Sequence, residues 1–123
     1  MADAPHLQTG RWAEQAAARF LAGQGLVPVD RNFRCRHGEI DLVMADGDEL
    51  VFVEVRFRAD ERFGAGFETV THAKRRRLTT AARVYLSRHH AEQRPCRFDV
   101  VSVTKRNYRP EIHWVRDAFS QDD

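Results

Sequence analysis

Two apolar segments joined by a short turn place the strongest constraint on how this 123-residue chain can fold. Residues 38–45 and 50–57 are rich in Val, Ile, Leu and Phe, and residues 46–49 (DGDE) between them are typical of a hairpin turn. The sequence therefore predicts an antiparallel pair of strands. Three acidic residues lie inside these otherwise apolar strands: Glu39, Asp41 and Glu54.

The length of the turn decides whether these acidic side chains meet. Because strand side chains alternate between faces, Glu39 and Asp41 share a face of the first strand, and Glu54 and Arg56 share a face of the second. A turn centred on residues 47–48 places Asp41 opposite Glu54 and Glu39 opposite Arg56. The same turn shifted back by one residue places Glu39 opposite Glu54. Both registers put all four side chains on one face, whereas an odd-length loop would separate them.

Carboxylates that face each other within apolar strands repel, and burying them is costly unless their charge is neutralised. A divalent cation held by Glu39, Asp41 and Glu54 would supply that charge, and oxygen ligands suit Mg²⁺ or Mn²⁺. A cation with few protein ligands keeps positions open for a phosphate oxygen and a water molecule. The alternative is a salt bridge from Arg56 to Glu39 or Glu54 on a solvated face of the hairpin.

Two helices are predicted outside the hairpin. Residues 10–24 have apolar side chains at helical spacing, and Thr9 precedes them as a candidate N-cap. A second helix is predicted to begin after Thr69 or Thr71 and to extend to about residue 90.

Three further strands complete the predicted fold. Residues 26–34 read as an irregular or edge strand because Pro28 cannot donate a backbone hydrogen bond. Residues 97–104 form a nearly continuous apolar strand, and residues 111–116 alternate as a last edge strand. The order α-β-β-β-α-β-β predicts an α/β fold with a single mixed sheet flanked by helices.

The composition indicates a soluble, cytoplasmic protein with one domain. No apolar run approaches the roughly 20 residues needed to cross a bilayer, and the first ten residues lack the basic start and apolar stretch of a signal peptide. We expect the domain to span residues 10–118, between flexible termini at residues 1–9 and 119–123.

The charge distribution indicates a polyanionic partner. The net charge is +2, but residues 56–90 contain nine basic and three acidic side chains, a local excess of +6 that leaves −4 elsewhere. A helix-turn-helix, zinc finger or RNA-recognition signature is absent from the sequence, which argues against readout of base edges. The residues that we expect to contact nucleic acid are Arg34, Arg58, Lys74, Arg75, Arg76 and Arg77.

The hairpin resembles a known nuclease signature. Residues 38–42 (GEIDL) and 52–56 (FVEVR) are similar to the divided acid–acid–lysine motif of restriction-endonuclease-like nucleases. Four more segments extend the likeness to the bacterial YraN family of small predicted endonucleases, which are distantly similar to archaeal Holliday-junction resolvases. These segments are residues 10–14 (GRWAE), 32–34 (NFR), 70–74 (VTHAK) and 97–101 (RFDVV).

The resemblance implies a restriction-endonuclease-like fold and Mg²⁺- or Mn²⁺-dependent cleavage of DNA, including branched DNA. It implies that Asp41 and Glu54 bind the metal, that Glu39 flanks them, and that Glu14 reaches the same centre from the first helix. Arg56 stands where the motif has lysine. Because arginine stays charged, it can stabilise negative charge but does not accept a proton.

Other interpretations of these residues remain open. Glu14 in the first turns of a helix also interacts favourably with the helix dipole, without any further role. With Arg56 in the motif, the protein could be a DNA-binding module without turnover, or an adaptor whose acidic residues form surface salt bridges. The resolvase likeness implies a homodimer, with Phe57, Phe63 and Phe67 either in its interface or in the core.

Overall fold

The computed structural model describes residues 5–58 and 70–120, with side chains from Gly10 onward. The described elements follow the predicted order α-β-β-β-α-β-β, which confirms the α/β fold with a single mixed sheet. They are α1 (Pro5–Gly23), β1 (Val27–Cys35), β2 (Gly38–Asp46), β3 (Glu49–Arg58), α2 (His72–Arg88), β4 (Cys96–Arg106) and β5 (Arg109–Phe119).

The sheet has five strands in the spatial order β1-β2-β3-β4-β5. Strand β3 runs parallel to β4, and the other neighbouring pairs are antiparallel. Helix α2 forms the crossover that a parallel pair requires. Strands β1 and β5 lie at the edges, and the register of β1 shifts between Pro28 and Asp30, as the proline predicts.

A separate apolar core lies on each side of the sheet. Helix α1 packs Ala13, Ala17 and Leu21 against one face, which includes Val51 and Val53 of β3. Helix α2 packs against the opposite face, and Tyr85 contacts the rings of Phe33 and Phe52 edge-on. Burial of both sheet faces explains why β3 and β4 are nearly continuous apolar segments.

The β2–β3 hairpin has the first of the two predicted registers. Its paired positions run from Asp46 with Glu49 to Leu42 with Val53, so residues 47 and 48 form the turn. Gly47 has a φ of +60°, a left-handed conformation that glycine adopts without steric cost.

The helix starts and the last strand differ in detail from the predictions. Helix α1 begins at Pro5, so the prediction that Thr9 caps a helix beginning at Gly10 is wrong. Proline is favoured in the first turn of a helix because the N–H that it lacks has no partner within the helix there. Helix α2 begins after Thr71, whose hydroxyl oxygen accepts the N–H of Lys74 at 3.2 Å. Strand β5 continues to Phe119, which is buried in the core.

Some predictions fall outside the described residues, namely those for Phe63, Phe67 and Thr69. Phe57 is half-buried and packs edge-on against Trp12, which assigns it to the core of the α1 side. Within the described part of the chain, neither helix combines the length and the apolar character that crossing a membrane requires.

Candidate functional site

The site lies where the pairing of β2 with β3 ends. Beyond the pair Leu42–Val53, the backbone N–H of Val55 donates a hydrogen bond to Oδ2 of Asp41 at 2.8 Å. A side-chain carboxylate thus occupies the position of a backbone acceptor. This bond holds the side chain of Asp41 beside Val55 of β3, which is the residue after Glu54.

Three carboxylates converge at this point. One oxygen each of Glu14, Glu39 and Asp41 lies within 4.8 Å of the others. Glu14 comes from α1, and the other two come from β2. The structure therefore brings Glu14 to Glu39 and Asp41. Because α1 begins at Pro5, Glu14 lies in the middle of the helix, so the alternative that it serves the helix dipole from the first turns is wrong. Three oxygen ligands at this spacing are compatible with a single divalent cation.

Asn32 contributes to the site, although its place in the segment 32–34 (NFR) predicted no role for it. It lies in β1 between the residues paired with Leu42 and Ile40, and hence beside Asp41. Its φ of 52° is left-handed, which asparagine tolerates better than most residues. Its side chain is hydrogen-bonded to the carboxylate of Glu14. An asparagine within a strand segment was the available signal for this position.

Glu54 has a different partner from the other acidic residues. Its Oε1 lies 2.8 Å from Nζ of Lys74, which reaches down from the first turn of α2. The side chain of Glu54 is only 8% exposed, whereas that of Lys74 is 41% exposed. Glu54 is accordingly not part of the group formed by Glu14, Glu39 and Asp41, although it borders the same pocket.

A pocket of about 320 Å³ opens between β2, β3 and α2. At this pocket the start of β2 lies close to α2, and the glycine at position 38 allows this contact. A Cβ added to Gly38 would lie 3.3 Å from the carbonyl oxygen of Arg77. The pocket therefore combines acidic groups that range from the buried Glu54 to the exposed Glu39 with basic groups at its rim. The lining residues are Gly38, Glu39, Asp41, Glu54, Lys74, Arg77 and Leu78.

Burial, and after it the neighbouring negative charge, determines the electrostatics of the pocket. Burial raises the pKa of Asp41 to about 7, and the neighbouring charge of Glu54 adds to the effect, while the hydrogen bond from Val55 opposes it. Burial also raises the pKa of Glu14, against the hydrogen bond from Asn32. Both carboxylates would be stabilised in the ionised form by an added cation.

The predicted basic residues have different surroundings. Arg34 forms an ion pair with Glu39 at 3.5 Å. Arg75 turns toward the core, because its Nε donates to the carbonyl oxygen of Val70 and its guanidinium lies 5.5 Å from the ring centre of Phe119. Arg76 is exposed, and Arg77 is exposed at the pocket rim.

Two residues of β3 lie apart from the pocket lining. Arg56 is half-buried beside Ser102 of β4 and is not among the residues that line the pocket. Arg58 ends the strand, four residues beyond Glu54, and is also half-buried.

Comparisons with known proteins agree with the YraN likeness. The model of a family described as "Uncharacterised protein family UPF0102" matches residues 13–103. A UPF0102 protein of Nitrosococcus oceani is 48% identical over 97% of this chain and 97% of its own length. A UPF0102 protein of Alkalilimnicola ehrlichii is 51% identical over 97% of this chain and 92% of its own. In a UPF0102 protein of Xanthomonas oryzae pv. oryzae the identity is 50%, over 94% of each chain. The chain therefore belongs to the UPF0102 family, which is the YraN family.

Proposed function

We propose that this protein is an endonuclease that hydrolyses phosphodiester bonds in DNA with the help of Mg²⁺ or Mn²⁺. The observation that carries the proposal is the convergence of Glu14, Glu39 and Asp41 within 4.8 Å at a pocket bordered by Lys74 and Arg77. Acidic groups for a cation and basic groups for a phosphate lie side by side, as phosphodiester hydrolysis requires.

The acidic residues fit a hard divalent cation. All the donors are carboxylate oxygens, which Mg²⁺ and Mn²⁺ prefer, and the set contains no thiol or imidazole that would favour zinc. Burial and then the charge of Glu54 raise the pKa of Asp41 to about 7, and a bound cation would stabilise the ionised form of this carboxylate. Asp41, Glu39 and Glu14 would hold the ion, with Glu54 beside them. When bound, the cation would polarise the phosphate and lower the pKa of a water molecule.

The basic residues of α2 would bind the DNA backbone. Lys74 and Arg77 border the pocket, so their charges would lie next to a phosphate in it. Arg76 extends the same basic surface into solvent. Such contacts depend on backbone shape and charge rather than on base sequence. Branched DNA, which differs from duplex DNA in shape, is therefore the substrate class that we propose.

The test of the proposal is metal-dependent cleavage of branched DNA under single-turnover conditions. We expect cleavage with Mn²⁺ or Mg²⁺, none with EDTA, and a loss of at least about 10²-fold for Asp41→Asn. Asp48→Asn is a matched control, because it makes the same change at an exposed residue of the β2–β3 turn. Equal cleavage by the two variants would contradict the proposed site.

A second function, DNA binding without turnover, is favoured by the arginine at position 56. In that case branched DNA would bind in a salt-dependent manner, metal would bind to the carboxylates, and no cleavage would occur. Arg56→Lys separates the two functions. A rise in cleavage in this variant would identify a weakened enzyme, whereas absence of cleavage in both proteins would identify a binding module.

A further inference from the structure

The ion pair between Lys74 and Glu54 links two elements that are separate in the sequence. Lys74 lies in the first turn of α2, and Glu54 lies in the middle of β3. The N–O distance of 2.8 Å is that of a charge-assisted hydrogen bond. Glu54 is 8% exposed, so this bond is shielded from water far more than a surface ion pair would be.

Lys74 also borders the pocket that contains other acidic groups. It lines the pocket together with Glu39, Asp41 and Glu54. Arg56, the residue at the motif's lysine position, does not line the pocket. The lysine that borders the pocket and contacts Glu54 thus comes from α2 and not from β3.

We propose that Lys74 is the lysine of this active site, delivered across the pocket by helix α2. This inference rests on the proposed nuclease function and assigns Lys74 two roles in it. Without DNA, the ammonium holds Glu54 and keeps its carboxylate out of the group formed by Glu14, Glu39 and Asp41. With DNA, the same ammonium neutralises the phosphate that enters the pocket.

The two roles predict opposite effects of removing the charge. Lys74→Gln eliminates a positive charge beside the acidic group and frees Glu54, so Mn²⁺ should bind more tightly, by roughly fivefold to tenfold. The same variant lacks the charge that stabilises the phosphate, so single-turnover cleavage should fall by about 10²-fold. A residue that merely supported the fold would lower both quantities together.

The experiment measures both quantities on the full chain. Mn²⁺ affinity is measured by titration calorimetry without DNA, and cleavage is measured on branched DNA with saturating Mn²⁺. Arg76→Gln is the matched control, because it removes one positive charge two residues away on the same helix without altering the pocket lining. We expect it to weaken DNA binding slightly and to leave Mn²⁺ affinity unchanged.

Lys74→Arg keeps the positive charge and distinguishes charge from folding. We expect this variant to have the Mn²⁺ affinity of the wild type and to retain more cleavage than Lys74→Gln. Equal or weaker Mn²⁺ binding by Lys74→Gln, in a variant whose circular dichroism spectrum matches the wild type, would overturn the proposal. So would cleavage by Lys74→Gln at the rate of Arg76→Gln.

Failure of the nuclease proposal gives a different result. If the wild type binds Mn²⁺ but cleaves no DNA, the catalytic function is wrong and with it the phosphate role of Lys74. The tighter Mn²⁺ binding of Lys74→Gln would still support its role in holding Glu54. If neither protein binds Mn²⁺, both roles are rejected.

Discussion

Two regions of the same sheet bury carboxylates in opposite ways. Near the β2–β3 turn, Asp99 has no exposed surface. Its oxygens accept hydrogen bonds from Nε of Arg97 at 3.0 Å, from Nε1 of Trp114 at 2.9 Å and from the backbone N–H of Asp117 at 2.9 Å. In the pocket, Asp41 accepts a backbone N–H but has further carboxylates as neighbours. Asp99 has an arginine bonded to it, whereas the charged neighbours that raise the pKa of Asp41 are carboxylates.

Arg97 is the charged partner of Asp99 near the turn. Burial alone would lower the pKa of Arg97. Its hydrogen bonds to Asp99, Asp46 and Glu49 outweigh this effect, so the pKa lies above the ordinary value of arginine. Its NH1 lies 2.9 Å from Asp46 and 2.8 Å from Glu49. A buried charge with this many partners is structural, because binding a ligand would require breaking the network. The contrast favours the pocket over the Arg97 network as the place for the proposed cation.

The largest expected effect comes from breaking the network near the turn. Arg97→Met leaves the buried carboxylate of Asp99 without its charged partner, so we expect a loss of about 3–5 kcal/mol in the free energy of unfolding. Urea denaturation measures this loss. Arg116→Met is the control, because Arg116 is exposed and contacts the same Asp46 at 3.4 Å; its loss should stay below about 1 kcal/mol. Similar losses in both variants would remove the distinction between the two regions.

The next effect tests whether the pocket accepts the cation that its excess negative charge favours. At a Mn²⁺ concentration of about 100 times the dissociation constant, the wild type should gain roughly 2.7 kcal/mol of stability. Asp41→Asn should lose most of this gain, whereas Asp48→Asn should keep it. Thermal unfolding with and without Mn²⁺ measures the gain. Stabilisation of Asp41→Asn to the level of the wild type would place the ion elsewhere.

The pH dependence of the stability of the metal-free protein tests the surroundings of Asp41. The pKa of Asp41 is about 7 in the folded protein, whereas an ordinary exposed aspartate has a pKa of 3.8. Between these values the folded state binds a proton that the unfolded state does not, so the wild type gains stability from this group as the pH falls from 8 to 5. Asp41→Asn lacks this dependence. We expect it to be more stable than the wild type at pH 8, on the order of 1 kcal/mol.

The melting temperatures of the two proteins across this pH range test the prediction. Their difference should shrink as the pH falls from 8 to 5, because the folded protein takes up a proton at Asp41 while the unfolded chain stays ionised down to about pH 3.8. A difference that stays constant from pH 8 to pH 5 would show that Asp41 does not titrate in this window.

The smallest expected effect concerns the approach of β2 to α2. In Gly38→Ala the added Cβ lies 3.3 Å from the carbonyl oxygen of Arg77, so the start of β2 must shift by a few tenths of an ångström. We expect a stability loss below about 1 kcal/mol and a roughly twofold weaker Mn²⁺ affinity. Gly23→Ala meets open space and is the control. Unchanged Mn²⁺ affinity in Gly38→Ala would show that this contact does not position Glu39.

Much of the fold could be predicted because its signals are local. The turn residues 46–49 predicted the hairpin with two possible registers, and the structure has one of them. One of the two threonines before α2 is the N-cap of this helix, as predicted. The start of α1 was missed because the residues before Thr9 carry little apolar periodicity, although Pro5 is compatible with a first turn.

The candidate site was predictable only in part. Asp41 and Glu39 could be placed together because both lie in one strand, and the hairpin brought Glu54 near them. The contact of Lys74 with Glu54 and that of Asn32 with Glu14 join separate elements, and no periodicity along the chain indicates them. Lys74 was predicted to contact phosphate, and its ion pair within the pocket was not expected.

The strands, the helices and the hairpin with its two-residue turn follow from the amino-acid sequence, because they depend on residues close together along the chain. The presence of carboxylates in an apolar sheet follows from it in the same way. The tertiary structure alone decided which charge meets which carboxylate. That outcome depends on the parallel pairing of β3 with β4, which places α2 as the crossover above the pocket and brings Lys74 to Glu54. The same packing gave Asp99 an internal counterion and left Asp41 among other acids.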